Sequence, residues 1–156
     1  MAITPTLEFA FSVRLDFPPG PRLRLPLAGG GVRGFVSILK GEVTGPKLEG
    51  DVVPGSGGDW PLFRADGVAA FDARYMIRAR DGGVIYMTNR GYAHAAPNVQ
   101  RLIDRGEKVD PSAYYFRLAP AFETEPGTHD WLTRSVIVGT GEKQADHSIF
   151  NYFVVL

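Results

Sequence analysis

VAAFDARYMIRARDGGVIYMTNRGY, residues 68–92, decides the fold. Two runs rich in β-branched and aromatic residues flank Asp81-Gly82-Gly83, the pattern of a β-hairpin closed by a glycine turn. With Asp81 and Gly82 as a two-residue turn, Arg80 faces Gly83, and the pairing sets Arg74 opposite Asn89, Met76 opposite Met87 and Arg78 opposite Ile85. Asp72, Arg74, Met76, Met87 and Asn89 then share one face, while Phe71, Ala73, Tyr75, Ile77, Val84, Tyr86 and Thr88 occupy the other. A three-residue turn shifts the register by one and sets Arg74 against Arg90 instead.

The same period of two runs through the rest of the chain. In residues 7–17, Leu7, Phe9, Phe11, Val13, Leu15 and Phe17 point one way and Glu8, Ser12, Arg14 and Asp16 the other, which predicts a half-buried strand. FVSILKGEV (35–43) and KLEGDVV (47–53) read as a second hairpin about Thr44-Gly45-Pro46, with glycines that mark bulges. AYYFRLAPAFET (113–124), WLTRSVIVGTGE (131–142) and SIFNYFVVL (148–156) are further short strands. Only PNVQRLIDRGE (97–107) reads as a helix, with proline at its start, Val99, Leu102 and Ile103 as a short apolar stripe and Gly106 as its stop. Regularly spaced strands with one short helix predict an all-β, mainly antiparallel barrel or sandwich. There is no repeat, low-complexity tract or linker, so one domain is expected over residues 1–156.

Composition narrows the function classes. A chain of 156 residues buries enough surface for a core without cross-links, roughly 70% of what its unfolded form exposes. It has no cysteine, which excludes disulfides, thiolate nucleophiles and cysteine-ligated metals and makes a cytoplasmic location the expectation. The N-terminus MAITPTLEFAF lacks the basic and apolar regions of a signal peptide, and no apolar run is long enough to span a bilayer, so no membrane partner is expected. With 17 basic and 17 acidic residues the formal charge is zero, and nucleic acid is not an expected partner, since no broad positive field is available.

GDVVPGSGGDW, RADGVAAFDARYMIRARDGGVIYMTNRG, DPSAYYFRLAPAFET and DWLTRSVIVGTG, in that order over nearly the whole chain, resemble the motifs of the DUF3237 family, also called UPF0311. The resemblance implies a small calycin- or lipocalin-like β-barrel and a tendency to form homo-oligomers. It implies no general activity.

Several chemical motifs are present by letter only. Gly29, Gly31 and Gly34 have G-x-G-x-x-G spacing, but β-branched FVSILKGEV follows where a nucleotide site needs a helix, so this is read as a turn. His94, His129 and His147 lie singly, with no spacing that aims two imidazoles at one metal, and no metal or other cofactor is expected. Ser56 lacks the strand-turn-helix setting of a serine hydrolase.

The remaining candidates gather around the glycine-rich stretch GDVVPGSGGDWPLFRADG, residues 50–67. Asp59 is a candidate base there, or a turn aspartate capping its own loop, and Trp60 and Trp131, each preceded by aspartate, are candidate rim residues that stack on a ligand or plug the core. Arg74 and Arg117 are candidates for binding a carboxylate or enolate oxygen, with Asn89 beside Arg74. The ordinary alternative for Asp72-Arg74 is an ion pair on the outer face. Tyr114 and Phe116 share one face and Tyr115 and Arg117 the other, so Tyr115, as proton donor, and Arg117 are expected to line a pocket together. Two functions fit. One is a cofactor-independent isomerase, cyclase, lyase or decarboxylase acting on a small aromatic or conjugated carbonyl or carboxylate compound, with Asp59 and Tyr115 catalytic. The other is a non-catalytic barrel that grips a small molecule.

Overall fold

The computed structural model describes residues 1–156. Its strands are β1 (Leu7–Asp16), β2 (Leu23–Pro26), β3 (Val32–Ser37), β4 (Lys40–Thr44), β5 (Gly50–Val52), β6 (Gly58–Asp59), β7 (Leu62–Phe63), β8 (Ala69–Ala79), β9 (Val84–His94), β10 (Tyr115–Thr124), β11 (Ile137–Lys143) and β12 (His147–Val155). One helix, α1 (Pro97–Asp104), begins at a proline as expected. All strand pairs are antiparallel, and eight strands close in the order β8-β9-β10-β11-β12-β1-β4-β5 and back to β8. The fold is thus an all-β antiparallel barrel with additional strands and one helix. The helix is not long and apolar enough to cross a membrane.

β8 forks the sheet. One edge pairs with β9 along its whole length. The other edge meets three strands in turn: β5 at Ile77–Ala79, β6 at Ala73–Arg74 and β7 at Ala69–Ala70. β6 and β7 pair onward with β3, and β3 with β2, so β2 and β3 leave the barrel as a wing. Glycines allow this close approach: a Cβ on Gly57 would lie 1.7 Å from the Arg74 carbonyl oxygen, and one on Gly50 2.2 Å from that of Arg78. The glycine-rich stretch is therefore a line of tight contact against β8.

The barrel interior is filled by alternate side chains. Phe11, Val13, Tyr75, Ile77, Ile85, Met87 and Tyr152 are fully buried, and Phe11 packs on Tyr152 with ring centroids 5.1 Å apart. Gly141 of β11 leaves room for the Phe116 ring, which a Cβ would approach to 2.6 Å.

Three expectations are corrected. The β8–β9 turn has three residues, Arg80-Asp81-Gly82, with Ala79 N–H donating to the Gly83 carbonyl at 2.8 Å and Gly82 at φ 94°. The Asp81 carboxylate accepts from Gly83 N–H at 3.0 Å and from His129 at 2.9 Å, fixing this turn. The register moves opposite to the anticipated shift: Arg74 faces Thr88, and Tyr75 faces Met87. Met87 and Asn89 consequently point inward with Tyr75, while Arg74 and Met76 point out. In β1 the alternation breaks at a bulge between Phe9 and Phe11, so Ala10 and Phe11 are both buried and Leu7 and Phe9 are exposed. Finally, 35–43 is divided at Ile38-Leu39, because β3 belongs to the wing and β4 to the barrel.

Gly91, opposite Phe71 in β9, is the test of this packing, since its Cβ would lie 2.1 Å from the Arg117 carbonyl oxygen. Gly91→Ala is expected to destabilise the protein by about 2 kcal/mol or more, the upper part of the range for overpacking, because the obstacle is backbone. Urea denaturation of the two proteins measures the difference.

Candidate functional site

The forked end of the barrel opens into a cavity of about 530 Å³. Volumes of this order suit a small organic ligand. Phe71 and Phe116 stack with centroids 4.8 Å apart, and Phe150 meets Phe116 edge-on at 5.8 Å, giving an aromatic floor. The wing contributes Arg22, Arg24 and Phe35 to the walls, α1 contributes Gln100 and Ile103, and the β11–β12 end contributes Lys143 and Ser148.

Asp59 is the acidic group set into this wall. As part of β6 it is clamped between β3 and β8, opposite Val36 on one side and Ala73 on the other. Its Oδ1 accepts from the Asp72 backbone N–H at 3.1 Å. Burial raises its pKa to about 6; neighbouring Asp72 adds to the rise, and backbone hydrogen bonds and the more distant Lys143 ammonium oppose it. Lys143 stands at the mouth, its side chain still reaching solvent. Its pKa is lowered, first by desolvation and then by the positive charge of Arg22. The Lys143 backbone N–H donates to the Tyr114 hydroxyl at 3.1 Å, tying two cavity residues together.

Of the residues singled out from the sequence, Asp59 and Tyr115 line the cavity, Tyr115 as a half-exposed rim residue whose ring stacks on His94 at 4.9 Å. The others lie elsewhere. Trp60, one residue beyond Asp59 and just past the end of β6, is not on the cavity lining and packs on Phe35 with centroids 5.2 Å apart. Arg74 stands on the outer face at 3.5 Å from Asp72, the surface ion pair. Arg117 is also outside, its guanidinium 5.3 Å from the Tyr115 ring and donating to the Phe116 carbonyl. The face assignment in β10 reverses: Tyr114 and Phe116 point inward, because Phe116 and Leu118 fill the barrel. Asn89 is buried and donates to the Tyr152 hydroxyl at 2.8 Å, in the core and not on the cavity lining. Trp131 packs against the core from the 3₁₀ turn Asp130–Thr133, under the Lys47 ammonium at the other end of the barrel.

Sequence reasoning missed Lys143 and the phenylalanine floor. GEKQADH reads as a polar turn, and the lysine's role depends on the β11–β12 end meeting the wing. The phenylalanines had the signal of period two but no sign of where the core ends and the cavity begins. No group of three or more histidine, aspartate or glutamate side chains is arranged to hold a metal.

A closed antiparallel barrel with an aromatic cavity at one end is a scaffold suited to a small molecule. The chain belongs to the DUF3237 family, described as a protein of unknown function, whose model matches residues 5–155. It is 34% identical over 154 residues to a UPF0311 protein of Rhodopseudomonas palustris, covering 99% of this chain and 100% of that one. The crystal structure of a protein of unknown function from R. palustris superposes with a TM-score of 0.89 at 31% identity, over 100% of both chains. One from Clostridium acetobutylicum superposes with a TM-score of 0.87 at 28% identity, again over 100% of both. A Penicillium herquei protein named hydroalkoxylation enzyme phnH is 31% identical over 100 residues, 64% of this chain and 62% of its own. The structure of an enzyme from P. herquei shares the fold, with a TM-score of 0.72 at 21% identity over 100% of this chain and 98% of that one.

The raised pKa of Asp59 has a consequence for stability. Between about pH 4 and pH 6 the folded protein holds this proton more tightly than the unfolded chain, so its contribution to stability falls as pH rises through that window. Asp59→Asn keeps an oxygen for the Asp72 N–H and removes the buried charge. Relative to the parent it is expected to be more stable at pH 7, by up to about 3 kcal/mol, and no more stable at pH 4. Denaturant titrations at the two pH values check this.

Proposed function

We propose that the protein is a cofactor-independent acid/base enzyme acting on a small aromatic compound inside this calycin-type barrel. The observation that carries the reading is Asp59, a carboxyl group in the wall of an aromatic cavity with its pKa at about 6. Such a value suits a group that must both take up and release a proton near neutral pH. The wall also offers Lys143 as a positive charge for an oxyanion, with Tyr115 at the rim.

The name of the P. herquei relative points to a reaction of the right kind. In an intramolecular hydroalkoxylation the substrate's hydroxyl loses its proton, its oxygen bonds to one carbon of a double bond, and a proton is added to the other carbon. Nothing is oxidised or reduced. In this cavity Asp59 takes the hydroxyl proton and returns it to carbon, the phenylalanine floor holds the ring, and the walls keep water from the developing charge. A cyclase or lyase of this type is the reading we adopt for this chain.

A panel of 2-alkenylphenols, with ring closure followed by chromatography, tests it. The parent is expected to close at least one member. Its kcat/KM should rise with pH through about 6, as a base of that pKa loses its proton. Asp59→Asn should lower turnover by at least about 10²-fold while KM changes little. Arg74→Met, on the outer face, should leave turnover unchanged. Turnover that survives in Asp59→Asn overturns the assignment of the base; absence of any turnover in the parent favours a barrel that binds without catalysis.

A further inference from the structure

The mouth of the cavity carries more positive charge than the proton-transfer chemistry calls for. Arg22 and Arg24, on the wing, line it together with Lys143 from the opposite side. Each arginine is laid on an aromatic ring of the cavity wall, Arg22 at 5.1 Å from the Phe17 centroid and Arg24 at 4.9 Å from that of Phe63. This contact holds the guanidinium groups while leaving their N–H donors free for an acceptor. None of the three cations has a carboxylate partner, whereas Arg64, on the same rim, is taken up by Asp66. The acids facing them are Asp59, in the wall, and Asp104 of α1, which accepts from Gln100 at 2.8 Å. Three cations therefore face two carboxylates. Arg22 also disfavours the charged form of Lys143, a repulsion that an anion at the mouth would relieve.

We propose that the cavity selects a planar aromatic ligand bearing an anionic substituent such as a carboxylate, with its ring on Phe71, Phe116 and Phe150 and its charge met by Arg22, Arg24 and Lys143. The proposal rests on the cavity being the ligand site and does not depend on Asp59 performing chemistry. A guanidinium edge matches a carboxylate in two parallel hydrogen bonds, and Lys143 supplies a point charge opposite. The ligand then enters ring first, with its reactive part beside Asp59 and its anion at the solvent side, where a charge keeps much of its hydration.

The test compares two probes of the same shape, 2-naphthoate and the neutral 2-naphthamide, by titration calorimetry at pH 7.5 and low salt. The parent is expected to bind naphthoate at least 10-fold more tightly. Arg22→Gln, Arg24→Gln and Lys143→Gln should each weaken naphthoate at least 5-fold and leave naphthamide within 2-fold, while Arg74→Gln, on the outer face, changes neither. Arg22 and Arg24 are both exposed, so the arginine variants are expected to fold, and a circular dichroism melt verifies it. Equal affinity for the two probes, or a preference that survives all three cavity variants, overturns the anion inference and leaves the cavity as a neutral aromatic site. Failure of both probes to bind overturns the cavity reading as well. Turnover that persists in Asp59→Asn, by contrast, counts against the proton-transfer function alone.

Discussion

A single strand with too many neighbours shapes this molecule. β8 gives one edge to β9 along its length and divides the other among β5, β6 and β7, and a barrel cannot close uniformly around a strand shared in that way. At the β5 end the sheet closes and the interior fills with Tyr75, Ile77 and Ile85. At the β7 end the neighbouring strands β6 and β7 lead out to the wing, the ring is drawn open, and the interior becomes a cavity. The division is possible because Gly50 and Gly57 have no side chain to hold the crossing backbone away from β8. The glycines that make the stretch look like a flexible loop are what make it tight.

The same division places the carboxyl group. β6 is two residues long and paired on both sides, so Asp59 has its backbone fixed by two neighbours and its side chain directed into the wall. Short, doubly paired strands position a side chain more firmly than a loop does. The cost is a partly desolvated acid, offset by backbone hydrogen bonds and by distant positive charge. A fold that keeps such a residue gives up some stability at neutral pH, an exchange familiar where activity needs a group out of its comfortable state.

The architecture was largely legible in the residues. Period two, one hairpin turn and a proline-started helix lead to an antiparallel barrel or sandwich, because these patterns are local and each implies its own hydrogen bonding; the choice of a barrel came from the family resemblance. The facing of side chains was not, because it turns on one residue of register. Whether Asp81-Gly82 or Arg80-Asp81-Gly82 makes the turn depends on the Asp81 carboxylate bonding to Gly83 and His129, and His129 is 48 positions away. That one step moved Met87 and Asn89 inward and left Arg74 on the outer face. Asp59 was recognisable as an acid in a glycine-rich stretch, but its neighbour Trp60 was drawn in with it, although adjacent residues in an extended chain face opposite ways. Lys143, Arg22 and Arg24 had no local signal, since their meeting is a product of the tertiary fold.

A closed barrel has no free sheet edge, but the wing restores one. β2 pairs only with β3, and its outer edge is open. Exposed edges invite pairing with another chain, and proteins discourage it with short strands, charges and proline. β2 has all three: four residues, Arg24 at its centre, and Pro26 at its end. Arg24, a cation at the cavity mouth, thus also acts as a gatekeeper against edge-to-edge aggregation, so removing it would make the protein stickier.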